Sequence, residues 1–129
     1  MEKLLSALVL ALVSTGVMAE WTSVGRADDS DVYVDLATIR KAGSKVNMWD
    51  LKDFQAAQGG AGAKFLSKKT QLEYDCKERQ SRRLAVILSG ENMGAGVVVD
   101  SYSGTPGKWQ PVQSGSVVEA LWKIACNNL

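Results

Sequence analysis

Apolar and polar residues alternate through the middle of this 129-residue chain. Leu72, Tyr74 and Cys76 hold even positions, while the odd positions between them are polar. Successive side chains of a β-strand point to opposite faces, so this alternation predicts a strand with one buried and one solvated face. The even positions are apolar again farther along, at Leu84, Val86 and Leu88. This shared register predicts one long bent strand over residues 70–88.

A hairpin that turns at Gln80-Ser81 is the alternative to the long strand. A tight turn is usually built from glycine, proline or asparagine, and none of these residues stands there. The pattern therefore favours the long strand.

Shorter elements are predicted in the first half of the chain. Residues 21–24 and 32–35 are rich in β-formers and predict two strands joined by a polar loop. Residues 36–41 predict a single helical turn. Residues 46–54 predict a strand with one partly buried face, and the glycines of 55–64 predict a flexible connection.

A glycine-rich segment at 89–96 precedes the run Val97-Val98-Val99. A phosphate-binding loop is followed by a helix whose N-terminus binds the anion, whereas a run of β-branched residues follows this segment. We therefore expect a hairpin loop, followed by a second irregular connection over 102–111.

The end of the chain carries the clearest helix signal. Ser116 and Glu119 form a capping box that predicts the helix start. An apolar stripe then follows at helical spacing, formed by Val118, Leu121, Trp122, Ala125 and Cys126. The helix is expected to pack on a sheet through this stripe.

The first nineteen residues have the pattern of a secretory signal peptide. Lys3 precedes an apolar run, and Val17-Met18-Ala19 fits a cleavage site before Glu20. The run is too short for a spanning helix, and no cysteine follows the cut to carry a lipid. We expect export to the periplasm or cell surface, a single mature domain at 20–129, and no transmembrane segment after cleavage.

The expected export bears on whether the two cysteines form a disulfide. In an oxidising compartment Cys76 and Cys126 are expected to pair, and both fall on predicted dry faces. The resulting fold class is α+β: an antiparallel β-sheet with a C-terminal α-helix packed on one face and one disulfide.

Charge and composition exclude several function classes. The formal net charge is +1, so no general attraction to nucleic acid is expected. The chain has no histidine, which removes the commonest general base and the usual catalytic zinc sites. The acidic group at 28–31 lacks the spacing of a calcium loop. We expect a non-enzyme with no catalytic residues, metal site or cofactor; no feature specifies an oligomeric state.

A binding surface needs only exposed charge. The long strand would place five charged residues on one solvated face: Glu73, Asp75, Lys77, Arg79 and Arg83. Lys68 and Lys69 lie just upstream. This is either an ordinary solvated sheet face or a site for an acidic protein segment or sulfated polysaccharide, with Lys77, Arg79 and Arg83 as the binding residues.

Several segments resemble the surface-adhesin protein E family of Gram-negative bacteria. They are the run from Glu73 to Lys77, the loop from Ser89 to Gly94, the tail from Pro111 to Cys126, and the N-terminal segments Val32-Tyr33-Val34-Asp35, Ala37-Thr38-Ile39-Arg40 and Met48-Trp49. The similarity covers nearly all of the mature chain.

This resemblance implies a small α+β domain with a disulfide, exposed or periplasmic, that binds host extracellular-matrix proteins such as vitronectin or laminin. A second class stays open: a periplasmic inhibitor of a cell-wall-degrading enzyme such as lysozyme, or an envelope maintenance protein. The strand around Tyr74 and Cys76 is loosely similar to those of bacterial lysozyme inhibitors.

Overall fold

A computed structural model describes residues 19–127, and the predicted signal peptide, apart from Ala19, lies outside them. The described chain forms β-strands followed by an α-helix. These elements are β1 (Thr22–Arg26), β2 (Ser30–Ala42), β3 (Lys45–Gln58), β4 (Phe65–Asp75), β5 (Gln80–Ser89), β6 (Val98–Ser103), β7 (Gln110–Pro111) and α1 (Val117–Cys126).

The strands form a single antiparallel sheet in the order β1-β2-β3-β4-β5-β6, and β7 also pairs with β5. Each of the first five strands therefore neighbours the next one along the chain. β6 pairs with residues 85–89 of β5, while β7 pairs with residues 80–81. The predicted α+β class is confirmed.

The main core lies between α1 and one face of the sheet, which we call the helix face. It contains buried side chains from three central strands and the helix: Val32, Val34, Val46, Met48, Tyr74, Leu121 and Ala125. The rest of the predicted stripe, Val118, Trp122 and Cys126, is partly buried against this core. The expectation that α1 packs on the sheet through its apolar stripe is confirmed.

The predicted disulfide joins this helix to the sheet. Cys76 follows β4 and Cys126 ends α1, with their Cα atoms 5.7 Å apart, within the range that a disulfide bridges. Beside the bond, Trp122 Nε1 donates a hydrogen bond to the carbonyl oxygen of Asp75 at 3.1 Å. A covalent bond and a hydrogen bond therefore hold the end of α1 to the end of β4.

The capping box forms at the start of α1. Ser116 Oγ accepts a hydrogen bond from the Glu119 backbone N–H at 3.1 Å. The Glu119 carboxylate reaches back one residue farther than expected, because its Oε1 accepts from the Gly115 backbone N–H at 2.9 Å. This N–H and the neighbouring Arg79 hold the pKa of Glu119 below its usual value.

The predicted long strand over 70–88 is wrong, because the chain turns back between β4 and β5. The Asp75 carboxylate accepts hydrogen bonds from the backbone N–H groups of Lys77 and Glu78 at 3.0 and 2.9 Å. Arg79 takes a left-handed conformation with φ of 55°. Aspartate therefore nucleates a turn that contains no glycine, proline or asparagine.

The predicted helical turn over 36–41 is also wrong, since these residues belong to β2. The pairing of β2 with β3 is interrupted between Asp35 and Arg40. Within this irregularity the Asp35 carboxylate accepts from the Ala37 N–H, and Thr38 Oγ1 accepts from the Trp49 N–H at 3.0 Å. Side chains thus replace the missing ladder bonds, and the segment reads as a bulged strand.

The glycine-rich segment forms the predicted loop between β5 and β6, and the expected strand follows it. The loop folds over the second face of the sheet, which we call the loop face. Gly94 N–H donates to Ser67 Oγ at 2.8 Å, and Asn92 Nδ2 donates to Asp53 Oδ1 at 3.0 Å. The sheet is thereby covered on both sides.

Upstream, β3 continues to Gln58, so the predicted flexible connection shortens to 59–64.

We predict that the disulfide contributes much of the domain's stability. Replacing both cysteines with serine should lower the free energy of unfolding by about 2–5 kcal/mol, because the bond closes a loop of 50 residues in the unfolded chain. Denaturant melts of both proteins measure the difference. Equal stability of the two proteins would contradict this role.

The helix should depend more on packing than on its cap. Trp122→Ala should cost roughly 3 kcal/mol through lost burial and the lost bond to Asp75, whereas Ser116→Ala should cost about 1 kcal/mol. Urea unfolding of the two variants gives the comparison. A Trp122 variant as mild as the Ser116 variant would mean that the indole does not anchor α1.

Candidate binding site

The three basic residues predicted to share one solvated face with Glu73 and Asp75 are separated in the structure. Lys77 is exposed in the β4–β5 turn. Arg79 forms a salt bridge with Glu119, and its guanidinium lies 4.9 Å from the ring centre of Trp122. The prediction that these residues share one solvated face is therefore wrong. The side chain of Arg79 contacts α1 instead.

Arg83 and Glu73 lie on opposite faces of the sheet. Arg83 is the strand partner of Leu72 on the helix face, where it is exposed. Glu73 pairs instead with Arg82, whose Nε donates to Glu73 Oε1 at 2.7 Å on the loop face. The hairpin reverses the parity that a continuous strand would have kept at Arg83, and the irregular pairing after Arg83 restores it at Val86.

A cleft of about 540 Å³ opens on the helix face beside the N-terminal half of α1. Strands β3, β4 and β5 form its base, and the segment 107–113 forms a wall. Gly107 N–H donates to the Arg83 carbonyl and Val112 N–H to the Arg79 carbonyl, so this wall is tied to β5. Five apolar side chains line the cleft: Leu72, Val86, Val117, Val118 and Leu121.

Four basic residues line the same cleft: Lys52, Lys68, Arg83 and Lys108. Lys52 and Lys68 are direct cross-strand partners in β3 and β4. Partial burial lowers the pKa of Lys68, and the nearby positive charge of Lys52 lowers it further. The cleft thus has an apolar lining with a concentration of positive charge.

Asp50 is a buried acid at the same site. It is only 3% exposed, yet it lines the cleft. Burial raises the pKa of Asp50 from 3.8 to about 7, against the opposing effects of Lys52 and Lys68. None of the salt bridges within residues 19–127 includes it. Burial thus disfavours the charged form of this carboxyl group.

Tyr74 is a second buried polar group near Asp50. Its hydroxyl is fully buried without a hydrogen-bond partner among the described residues. Burial raises the pKa of this phenol well above its usual value, and the charge of Asp50 raises it further. Burial therefore favours the neutral form of both groups.

The serine hydroxyl beside the cleft at the start of α1 is already engaged in hydrogen bonds. Ser116 Oγ is engaged in the helix cap and donates to the Gln113 carbonyl at 2.6 Å, so it is not a free nucleophile. Within the described part of the chain, no three His, Cys, Asp or Glu residues cluster in a way that could hold a metal ion. No helix of residues 19–127 is both long and apolar enough to cross a membrane.

Asp50 and Lys52 were not singled out from the sequence, and Lys68 was named only as lying upstream of the charged strand, although strand parity contained the signal. Val46 and Met48 are buried on the helix face, so the same alternation places Asp50 and Lys52 there. Tyr74 and Leu72 likewise indicate the face of Lys68. Charged residues are unusual on a face predicted to be buried, so this acid and these two lysines could have indicated a site from the sequence alone.

Asp50 should make the stability of the domain depend on pH. Below about pH 4 its carboxyl is protonated in both the folded and unfolded states. Between about pH 4 and 7 the unfolded chain ionises first, so rising pH destabilises the fold. Asp50→Asn stays neutral, and its stability relative to the parent should rise through this window by at most about 4 kcal/mol. Urea melts across pH measure this difference; a difference that does not change with pH would contradict the shift.

Comparisons with known proteins agree with this fold. The family model for surface-adhesin protein E matches residues 21–127. A structure of Haemophilus influenzae protein E in crystal form II superposes with a TM-score of 0.65 and 12% identity, covering 89% of this chain and 93% of that one. Protein E from non-typeable Haemophilus influenzae gives 0.64 at 12% identity, covering 89% of this chain and 80% of that one. A search of curated proteins finds no match. The similarity to these structures supports the fold alone. The family model shows that this chain belongs to the surface-adhesin protein E family.

Proposed function

We propose that this chain is an exported, non-catalytic binding domain that captures host extracellular-matrix proteins. The observation that carries the proposal is the family match over residues 21–127, which spans almost all of the described domain. The disulfide supports export, because such bonds persist in oxidising compartments. The named function of the family, adhesion, requires a protein partner and no catalytic group.

The charged surface offers two exposed candidates for contact with a matrix protein. Lys77 projects from the β4–β5 turn, and Arg83 lies on the edge of the cleft. Arg79, the third residue proposed from the sequence, forms the salt bridge with Glu119 and contacts Trp122. Its replacement would disturb α1, so binding is best tested at the other two positions.

Reversing charge at Lys77 and Arg83 should weaken capture of immobilised vitronectin or laminin. We expect the Lys77→Glu/Arg83→Glu double variant to lose roughly 10-fold in affinity at low salt, because each exposed charge contributes to attraction at the interface. Raising the salt concentration should weaken binding of the parent protein and reduce the difference in affinity between the parent and the double variant. Biolayer interferometry at two salt concentrations measures both effects.

Lys41→Glu/Lys64→Glu is the matched control, since both lysines are exposed and lie outside the cleft and the β4–β5 turn. The control should bind like the parent, and all three proteins should have similar melting temperatures. No capture of either matrix protein, together with inhibition of a lysozyme, would replace the adhesin proposal with that of a wall-enzyme inhibitor.

A further inference from the structure

The four basic residues of the cleft form no salt bridges within residues 19–127. The acids that do form them pair elsewhere, in Arg26–Asp31, Lys45–Asp75, Arg79–Glu119 and Arg82–Glu73. The cleft is therefore lined by four cations that have no salt bridge: Lys52, Lys68, Arg83 and Lys108. A cleft with one predominant sign of charge attracts ligands of the opposite sign.

Two of these cations are placed at a cost to the fold. Lys52 and Lys68 are directly opposite one another in adjacent strands, and like charges in that position destabilise a sheet. Lys68 is also partly buried, which penalises its charged form. No salt bridge among the described residues neutralises this pair, and the nearby Asp50 and Asp29 offset the cost to Lys68 only in part, since its pKa is still lowered. Local rules of this kind are broken at functional sites.

The one acid in the cleft does not cancel this charge. Asp50 is 3% exposed and has neither a salt bridge nor a hydrogen bond from a lysine. Its burial favours the neutral carboxylic acid, which is a hydrogen-bond donor. With a pKa of about 7, Asp50 is only partly ionised near neutral pH, so it offsets less than one of the positive charges that line the cleft.

We propose that this cleft binds an acidic peptide segment that also carries apolar side chains. Carboxylates of the segment would pair with Lys52, Lys68, Arg83 and Lys108. Its apolar side chains would contact the surface formed by Leu72, Val86 and Val117. The inference deepens the proposed function, because it assigns the surface and the chemistry of the partner segment.

An extended peptide suits the cleft better than a single-headed amphiphile. The cations come from three strands and from the wall at 107–113, so several separate carboxylates are needed to pair with them. The cleft also exposes backbone and polar groups, including Gly107, Gln110 and Gln113, that a peptide backbone could engage. A fatty acid would supply one carboxylate and leave most of these groups unpaired.

The test uses a fluorescein-labelled synthetic peptide of alternating glutamate and leucine, with a glutamine-leucine peptide of the same length as the uncharged probe. Fluorescence anisotropy with the mature, disulfide-bonded protein should show binding of the glutamate peptide at least 10-fold tighter than binding of the glutamine peptide. The Lys52→Gln/Lys68→Gln variant should lose at least 10-fold in affinity for the glutamate peptide. Its melting temperature should equal or exceed that of the parent, because a like-charge pair has been removed.

Lys41→Gln/Lys64→Gln removes the same charge from exposed positions outside the cleft and should change the affinity less than 3-fold. Arg83→Gln supplies a further variant at an exposed cleft position and should weaken binding several-fold. Equal losses in the cleft and control variants would overturn the proposal by showing non-specific charge attraction. Equal binding of the glutamate and glutamine peptides, or no binding of either, would also overturn it. Because a synthetic peptide is used, these outcomes are independent of whether matrix proteins are captured.

Discussion

The structure depends on the attachment of one short helix to the helix face of the sheet. Leu121 and Ala125 are buried against the strands, and the Cys76–Cys126 bond holds the C-terminal end of α1 beside β4. Arg79 holds the helix from a second direction through Glu119 and Trp122. Hydrophobic burial supplies the packing, while the disulfide and the ion pair fix where on the sheet the helix lies.

The length of this helix explains the cleft. A ten-residue helix spans about 15 Å, whereas a fourteen-residue strand such as β3 spans about 46 Å. α1 therefore covers the sheet over Val46, Met48 and Tyr74 but leaves the region of Lys52 and Lys68 open. In this account the binding surface is the part of the helix face that the helix does not reach.

Much of the fold was accessible from sequence because its signals are local. The capping residue Ser116 and the apolar stripe follow from residue type and spacing. The pairing of Cys76 with Cys126 follows instead from the presence of two cysteines in a chain expected to be exported. The β4–β5 hairpin was missed because Asp75, which nucleates its turn, also fits the alternating pattern of the strand, and because arginine rarely takes the left-handed conformation that Arg79 has there. The bulge in β2 was missed because one of its hydrogen bonds is donated by the Trp49 N–H of the neighbouring strand β3, a partner that the sequence of 36–41 does not indicate.

The candidate site was less accessible for a related reason. Parity places Asp50 and Lys68 on the helix face, but only the three-dimensional position of α1 and of the wall at 107–113 shows that this region is open. The error at the hairpin also moved Arg83 to the wrong face, which separated it from the lysines that it accompanies. Because the β4–β5 turn was not predicted, the sequence did not show that Arg83 lies on the same face as Lys52 and Lys68.

The central claim is that the uncovered part of the helix face is a binding site for acidic segments. Amide chemical-shift mapping of the isotope-labelled mature protein during titration with the glutamate-leucine peptide tests it most directly. The account predicts saturable shifts confined to residues 50–52, 68–72, 83–86, 107–113 and 117–118. Shifts confined instead to the edge strand β6, or spread evenly over all exposed lysines, would contradict it.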